Sequence, residues 1–174
     1  MAAVDVSQSQ IPGTGADAWQ GSLAPEVTPL PSLSSVDQSM IDCLAGMRAT
    51  PARDAAIYHL QTGGHRMRAK LALASSAGRL SVDDGRAAAA ACELLHNASL
   101  VHDDISDHDQ YRRGQRSVRA LYGDDIALCA GDLLLTAAFQ TAARVSEPAV
   151  AQRLTGFMAD TAARVIGGQS VELA

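Results

Sequence analysis

The chain has 174 residues, 47% apolar and 3% aromatic, with a formal net charge of −5. That length supports one domain with a sizeable core, and its richness in alanine and leucine favours helices. The negative balance argues against a nucleic-acid binder, and no apolar run reaches the roughly 18 residues a membrane crossing needs. The first basic residue is Arg48, so the N-terminus lacks the basic region of a signal or transit peptide, and the chain reads as cytoplasmic. Cys43, Cys92 and Cys129 are far apart in apolar contexts, a pattern of buried reduced thiols rather than of a metal site.

Residues 1–35 carry Pro12, Pro25, Pro29 and Pro31 among serines and glycines, with no hydrophobic period. They read as a disordered tail whose only large anchor is Trp19. Residues 36–174 form the helical domain. Met40, Ile41, Leu44 and Met47 follow the spacing of one buried helix face. Pro51 opens a second helix, and Gly63-Gly64 breaks the chain. A third helix is expected from Arg66 to Ala77, with Leu71, Leu73 and Ala74 inward. Ser81-Val82-Asp83-Asp84 resembles a capping box and starts a long central helix expected to reach His108. Residues 111–117 read as a polar loop. Further helices are expected over 118–122, over 126–145 and from Pro148 onward, the last interrupted at Gly167-Gly168. No stretch alternates with period two, so no sheet is predicted. The class is all-α, an antiparallel helical bundle.

The chemistry concentrates between Glu93 and Gly114. Asp103 and Asp107 share a helix face, with Asp104 about 100° round. Two carboxylates on one face suit Mg²⁺, which takes oxygen ligands and completes its shell with water and substrate phosphate. Taken alone, the triad is more often a solvated acidic helix end, although acid at a helix C-terminus opposes the macrodipole and a cation would offset it. Arg112-Arg113-Gly114 follows, and arginine forks match phosphate oxygens; a surface arginine pair alone is usually solvated. Gly63-Gly64-His65-Arg66-Met67-Arg68 places free N–H groups and arginines at a helix start, a plausible anion site, although most such turns are only turns. His96 lies near the Asp103 face, where a lone histidine is more often a satisfied core residue.

Together these segments resemble the trans-isoprenyl (polyprenyl) diphosphate synthases, of geranylgeranyl and farnesyl type. Asp103-Asp104-Ile105-Ser106-Asp107 followed by Arg112-Arg113-Gly114 resembles their first aspartate-rich motif. Residues 63–69 resemble their Gly-Gly-Lys-Arg-x-Arg-Pro, with His65 for the lysine and Ala69 for the proline. Glu93 to His96, Ala130-Gly131-Asp132-Leu133-Leu134-Leu135 and Gly168-Gln169-Ser170-Val171-Glu172 resemble three further family segments. The resemblance implies a helical bundle around a deep cavity, with Asp103 and Asp107 ligating Mg²⁺ on an allylic diphosphate and Asp104 in support. It implies that Arg112 grips that diphosphate, that Gln169 lines the allylic side, and that His65, Arg66, Arg113 and His96 hold isopentenyl diphosphate. Histidine is mostly neutral where lysine is charged, so the His65 exchange points to a weaker or pH-dependent site. A homodimer is implied by the family alone.

The family's second aspartate-rich motif has no counterpart here, and the match runs to Ala174 inside an expected helix. The chain is therefore expected to be the N-terminal part of a synthase, inactive in isolation and exposing an apolar flank. A truncated paralogue acting as a regulatory subunit, and a class I terpene cyclase, are the competing readings. The intact acids weigh against the first. Arg112-Arg113-Gly114 and the Gly63–Arg68 turn weigh against the second. In this family, bulky residues four and five positions before the aspartates stop product growth. Ala98 and Ser99 stand there, so a product longer than C15, C20 first, is expected, with Leu95 as a deeper floor. In a catalytically active form, Ala98→Phe should shorten the product seen by chromatography; unchanged length would exclude this role.

Overall fold

The computed structural model describes residues 30–174. Most of the expected tail, Trp19 included, lies outside the described residues. Helix α1 (Leu33–Ala45) starts three residues earlier than its apolar period, because the Ser32 hydroxyl accepts the Ser35 N–H as an N-cap. Thr50 caps α2 (Pro51–Gln61) in the same way, with Pro51 in the first turn. In α3 (Met67–Ser76), Ala69, Leu73 and Ser76 face inward, while Leu71 is 61% exposed and Ala74 is also exposed. Two of the three expected inward positions are thus corrected: a ten-residue, mostly apolar helix lacks a polar face to fix its rotation. The long helix α4 (Val82–Ser106) is capped by Ser81 and ends two residues short of His108.

The expected absence of any sheet is corrected as well. Strand β1 (Tyr111–Arg112) pairs antiparallel with β2 (Gln115–Arg116). Arg113 and Gly114 between them have φ of 55° and 78°, the positive values that a tight two-residue hairpin turn requires. Two-residue strands are too short to show alternation in sequence. Helices α5 (Val118–Tyr122), α6 (Asp124–Ala142) and α7 (Pro148–Glu172) follow. Helix α7 runs unbroken through Gly167-Gly168, since glycine in a helix costs only about 1 kcal/mol relative to alanine.

The core is built on alanine. Helix α4 packs most extensively on α6. Ala91, Leu94, Ala98 and Val101 of α4 share one buried cluster with Ala127, Ala130, Leu134, Ala137 and Ala138 of α6. Such small side chains let two helix axes come close, which compensates for the scarcity of aromatics. By length and composition α6 is apolar enough to cross a membrane, contrary to the expectation from sequence; its buried stripe against α4 gives that composition a core role. Asp84 at the start of α4 accepts hydrogen bonds from Ser146 N (2.7 Å) and Oγ (2.6 Å), fastening the α6–α7 turn. These bonds hold the Asp84 carboxyl below its usual range. Helix α7 buries only Met158 and exposes Phe157, Val165, Ile166, Val171 and Leu173. Of the cysteines, Cys43 is buried, Cys92 half-buried and Cys129 exposed, which corrects the expectation of three buried thiols.

His59, 1% exposed, hydrogen-bonds Asn97 Oδ1 through Nε2 at 3.1 Å, and Asn97 donates to the Glu93 carbonyl. Burial above all, and then the charge of Arg113, lower its pKa from 6.5 to about 3. Between those values the unfolded chain binds a proton that the folded chain refuses, so stability falls as pH drops. The slope attributable to His59 is at most roughly 1.4 kcal/mol per pH unit. Denaturant melts of the native chain and of His59→Gln between pH 7 and pH 5 should differ by this slope; parallel profiles would rule it out.

Candidate diphosphate site

The end of α4 turns its three aspartates to different tasks. Asp104 is fully buried and accepts from Arg112 Nε at 2.8 Å and from Nη2. Asp109 adds a second contact to Arg112 at 3.3 Å. Burial raises the Asp104 carboxyl above its usual range, and the hydrogen bond and charge of Arg112 offset part of that rise; an always-charged guanidinium favours the ionised form. Asp104 seats the arginine. Arg112 keeps a partly exposed side chain, with 24% of its area open, so the guanidinium is anchored on one edge.

Asp103 is half-buried and Asp107 exposed. Burial, then the negative charge of Asp107, push the Asp103 carboxyl up, and Glu172 at the end of α7 adds to this. A carboxyl raised by a neighbouring negative charge gains from a cation placed beside it. No group of three His, Cys, Asp or Glu side chains among the described residues is close enough to hold a metal alone. The donor set fits Mg²⁺ on these terms: hard oxygens from one helix face, leaving positions for water and phosphate.

Arg66 lies elsewhere than expected. It adopts φ of 48° before α3, and its guanidinium turns inward, donating to Asp37 Oδ1 (2.7 Å) and to the Leu60 carbonyl (2.9 Å), 4.0 Å from Glu93 Oε2. With 5% of its side chain exposed, it cannot meet a ligand, which corrects its assignment to substrate. The reason is tertiary: Glu93, 2% exposed, needs a buried counter-ion, and its other oxygen accepts Ala69 N–H. Arg68 takes the open position. It is exposed, makes no ion pair among the described residues, and borders the cavity with His96. Burial and then the Arg68 charge lower the His96 pKa. Arg113 of the hairpin donates to the Gly63 carbonyl. Its guanidinium lies so close to Gly64 that a Cβ there would sit 2.8 Å from Cζ. His65 is exposed in the same turn.

Between α3, α4, α6 and α7 lies a cavity of about 590 Å³. Asp103, His96, Arg68 and Gln169 are among its polar lining, while Leu71, Ala72, Leu95, Ala98, Leu135 and Met158 are among its apolar lining. Ala98 and Ser99 both border it. Asp107, Arg112 and Arg113 lie outside its lining, beyond the carboxylate end. Sequence reading did not single out Asp37, His59, Asn97 or His102, whose partners are distant in the chain or on another helix, nor Asp109, which meets Arg112 three positions on only because the hairpin turns back.

A family model described as polyprenyl synthetase matches residues 50–174. The short chain isoprenyl diphosphate synthase of Methanothermobacter thermautotrophicus is 39% identical over 118 residues, covering 66% of this chain and 36% of its own length. The geranylgeranyl diphosphate synthase of Methanosarcina mazei is 34% identical over 142 residues, covering 80% of this chain and 44% of its own length. The crystal structure of geranylgeranyl pyrophosphate synthetase from Pyrococcus horikoshii superposes with a TM-score of 0.72 at 31% identity, covering 79% of this chain and 42% of that one. The chain thus spans less than half the length of these relatives.

The two arginines separate by experiment. Arg66→Ala should cost about 3 kcal/mol in denaturant unfolding, because it strands buried Glu93. Arg68→Ala should leave stability within about 0.5 kcal/mol and weaken binding of inorganic diphosphate measured by calorimetry. The reverse pattern would overturn the assignment.

Proposed function

The chain belongs to the polyprenyl synthetase family, and on that premise we propose that it forms the first diphosphate-binding wall of a Mg²⁺-dependent trans-prenyltransferase. The reaction joins isopentenyl diphosphate to an allylic diphosphate. The observation that carries this reading is a mostly apolar cavity of about 590 Å³ whose lining also bears Asp103, His96 and Arg68. A ligand with a long hydrocarbon tail and a multiply charged head fits that lining.

Asp103 and Asp107 would hold Mg²⁺, which supplies positive charge to the departing diphosphate. Arg112, pre-set by Asp104 and Asp109, presents a fixed cationic edge to the allylic diphosphate. Arg68 and Arg113 supply the positive potential for the diphosphate of isopentenyl diphosphate, His65 and His96 offer neutral ring N–H donors beside it, and the Gln169 amide faces the allylic side. Ionisation of the allylic C–O bond gives a carbocation, the isopentenyl double bond attacks it, and a proton is lost. Leu95, Ala98, Leu135 and Met158 keep water from the cation. Small side chains at Ala98 and Ser99 leave the wall open beside Asp103, which supports a product longer than C15, with C20 first.

Calorimetric titration with inorganic diphosphate should show binding in Mg²⁺ that weakens at least about ten-fold after chelation with EDTA or in Asp103→Asn. Binding indifferent to both would defeat the metal–diphosphate reading.

A further inference from the structure

The binding scheme leaves Gly131 and Asp132 of α6 without a role, yet both meet the histidine that precedes Asp103. Gly131 is buried under the His102 ring, and a Cβ there would overlap Nε2, Cδ2 and Cε1. Asp132 Oδ1 lies 3.4 Å from the same Nε2. That nitrogen is closed to solvent and makes no hydrogen bond among the described residues. The ring borders the cavity beside Asp103, while Asp132 keeps 64% of its side chain exposed.

We propose that Gly131 and Asp132 are positioning residues. The glycine gives the imidazole a seat on the α6 backbone, and the carboxylate orients its Nε2 edge, so that His102 stands as a fixed wall of the cavity mouth. The inference rests on the diphosphate reading of that mouth. Its physical content is orientation. An exposed carboxylate contributes little to stability through an ion pair, but a ring held at one χ angle closes the α4–α6 seam level with Asp103. A ring free to turn would open that seam to water beside the metal ligands and let the adjacent carboxylate relax. Outer-shell groups of this kind alter affinity by about ten- to a hundred-fold when removed.

Two measurements on the full 174-residue chain test this. Nitrogen-15 NMR of labelled histidine should show His102 as a single Nε2–H tautomer, becoming mixed in Asp132→Ala. Calorimetry with Mg²⁺ and farnesyl thiolodiphosphate, an allylic analogue slow to ionise, should show at least about ten-fold weaker binding for Asp132→Ala and Gly131→Ala. Asp132→Asn, which keeps an acceptor oxygen, should retain most of the affinity, and melting temperatures of both Asp132 variants should match the native chain. An Nδ1–H tautomer in the native chain, native affinity in both weakened variants, or a loss in Asp132→Ala matched by a lower melting temperature would overturn the proposal. A locked Nε2–H ring in a native chain that binds no thiolodiphosphate would instead overturn the diphosphate reading, and the positioning role with it.

Discussion

The buried pair of Asp104 and Arg112 is the contact on which the candidate site depends. A carboxylate with no solvent exposure must have a cation or lose its charge, and the cation it takes comes from the hairpin after the helix. That choice fixes the hairpin against the end of α4. It also sends Asp103 and Asp107, on either side of Asp104, outward. One buried acid thereby leaves two acids nearer the surface and anchors the Arg112 guanidinium on one edge.

A second buried pair does similar work at the other anion element. Glu93 draws Arg66 inward and takes the Ala69 N–H as well, which ties the start of α3 to the middle of α4. Arg68, on the next turn, is then the exposed cation. The neighbouring His59–Asn97 contact completes a polar layer inside an otherwise alanine-lined core. This layer costs stability wherever a partner is lost, and it holds the arginine-bearing segments at one end of the cavity. Helix α7 leaves Phe157, Val165, Ile166 and Val171 exposed.

Close packing of α4 on α6 serves the cavity too. Alanines and Gly131 bring the helices together, while larger side chains such as Leu95, Leu135 and Phe157 line the cavity. The same shortage of bulk at Ala98 that lets the helices approach also leaves room for a hydrocarbon chain. Packing and ligand volume are therefore set by one pattern of small residues.

The sequence by itself determined most of the helices, the Ser81 cap of α4 and the nearness in the chain of Asp103, Asp107, Arg112 and Arg113, because period, capping and charge spacing act over a few residues. It could not show which arginine of the Gly63–Arg68 turn faces a ligand, since that depends on Glu93 and Asp37, twenty-seven to twenty-nine positions away from Arg66. Nor could it show the rotation of α3, the two-residue hairpin or the seat of His102 on Gly131. Each of these is decided by what a side chain meets on another element: a buried carboxylate needs a cation, and an imidazole fits only where a Cβ is missing.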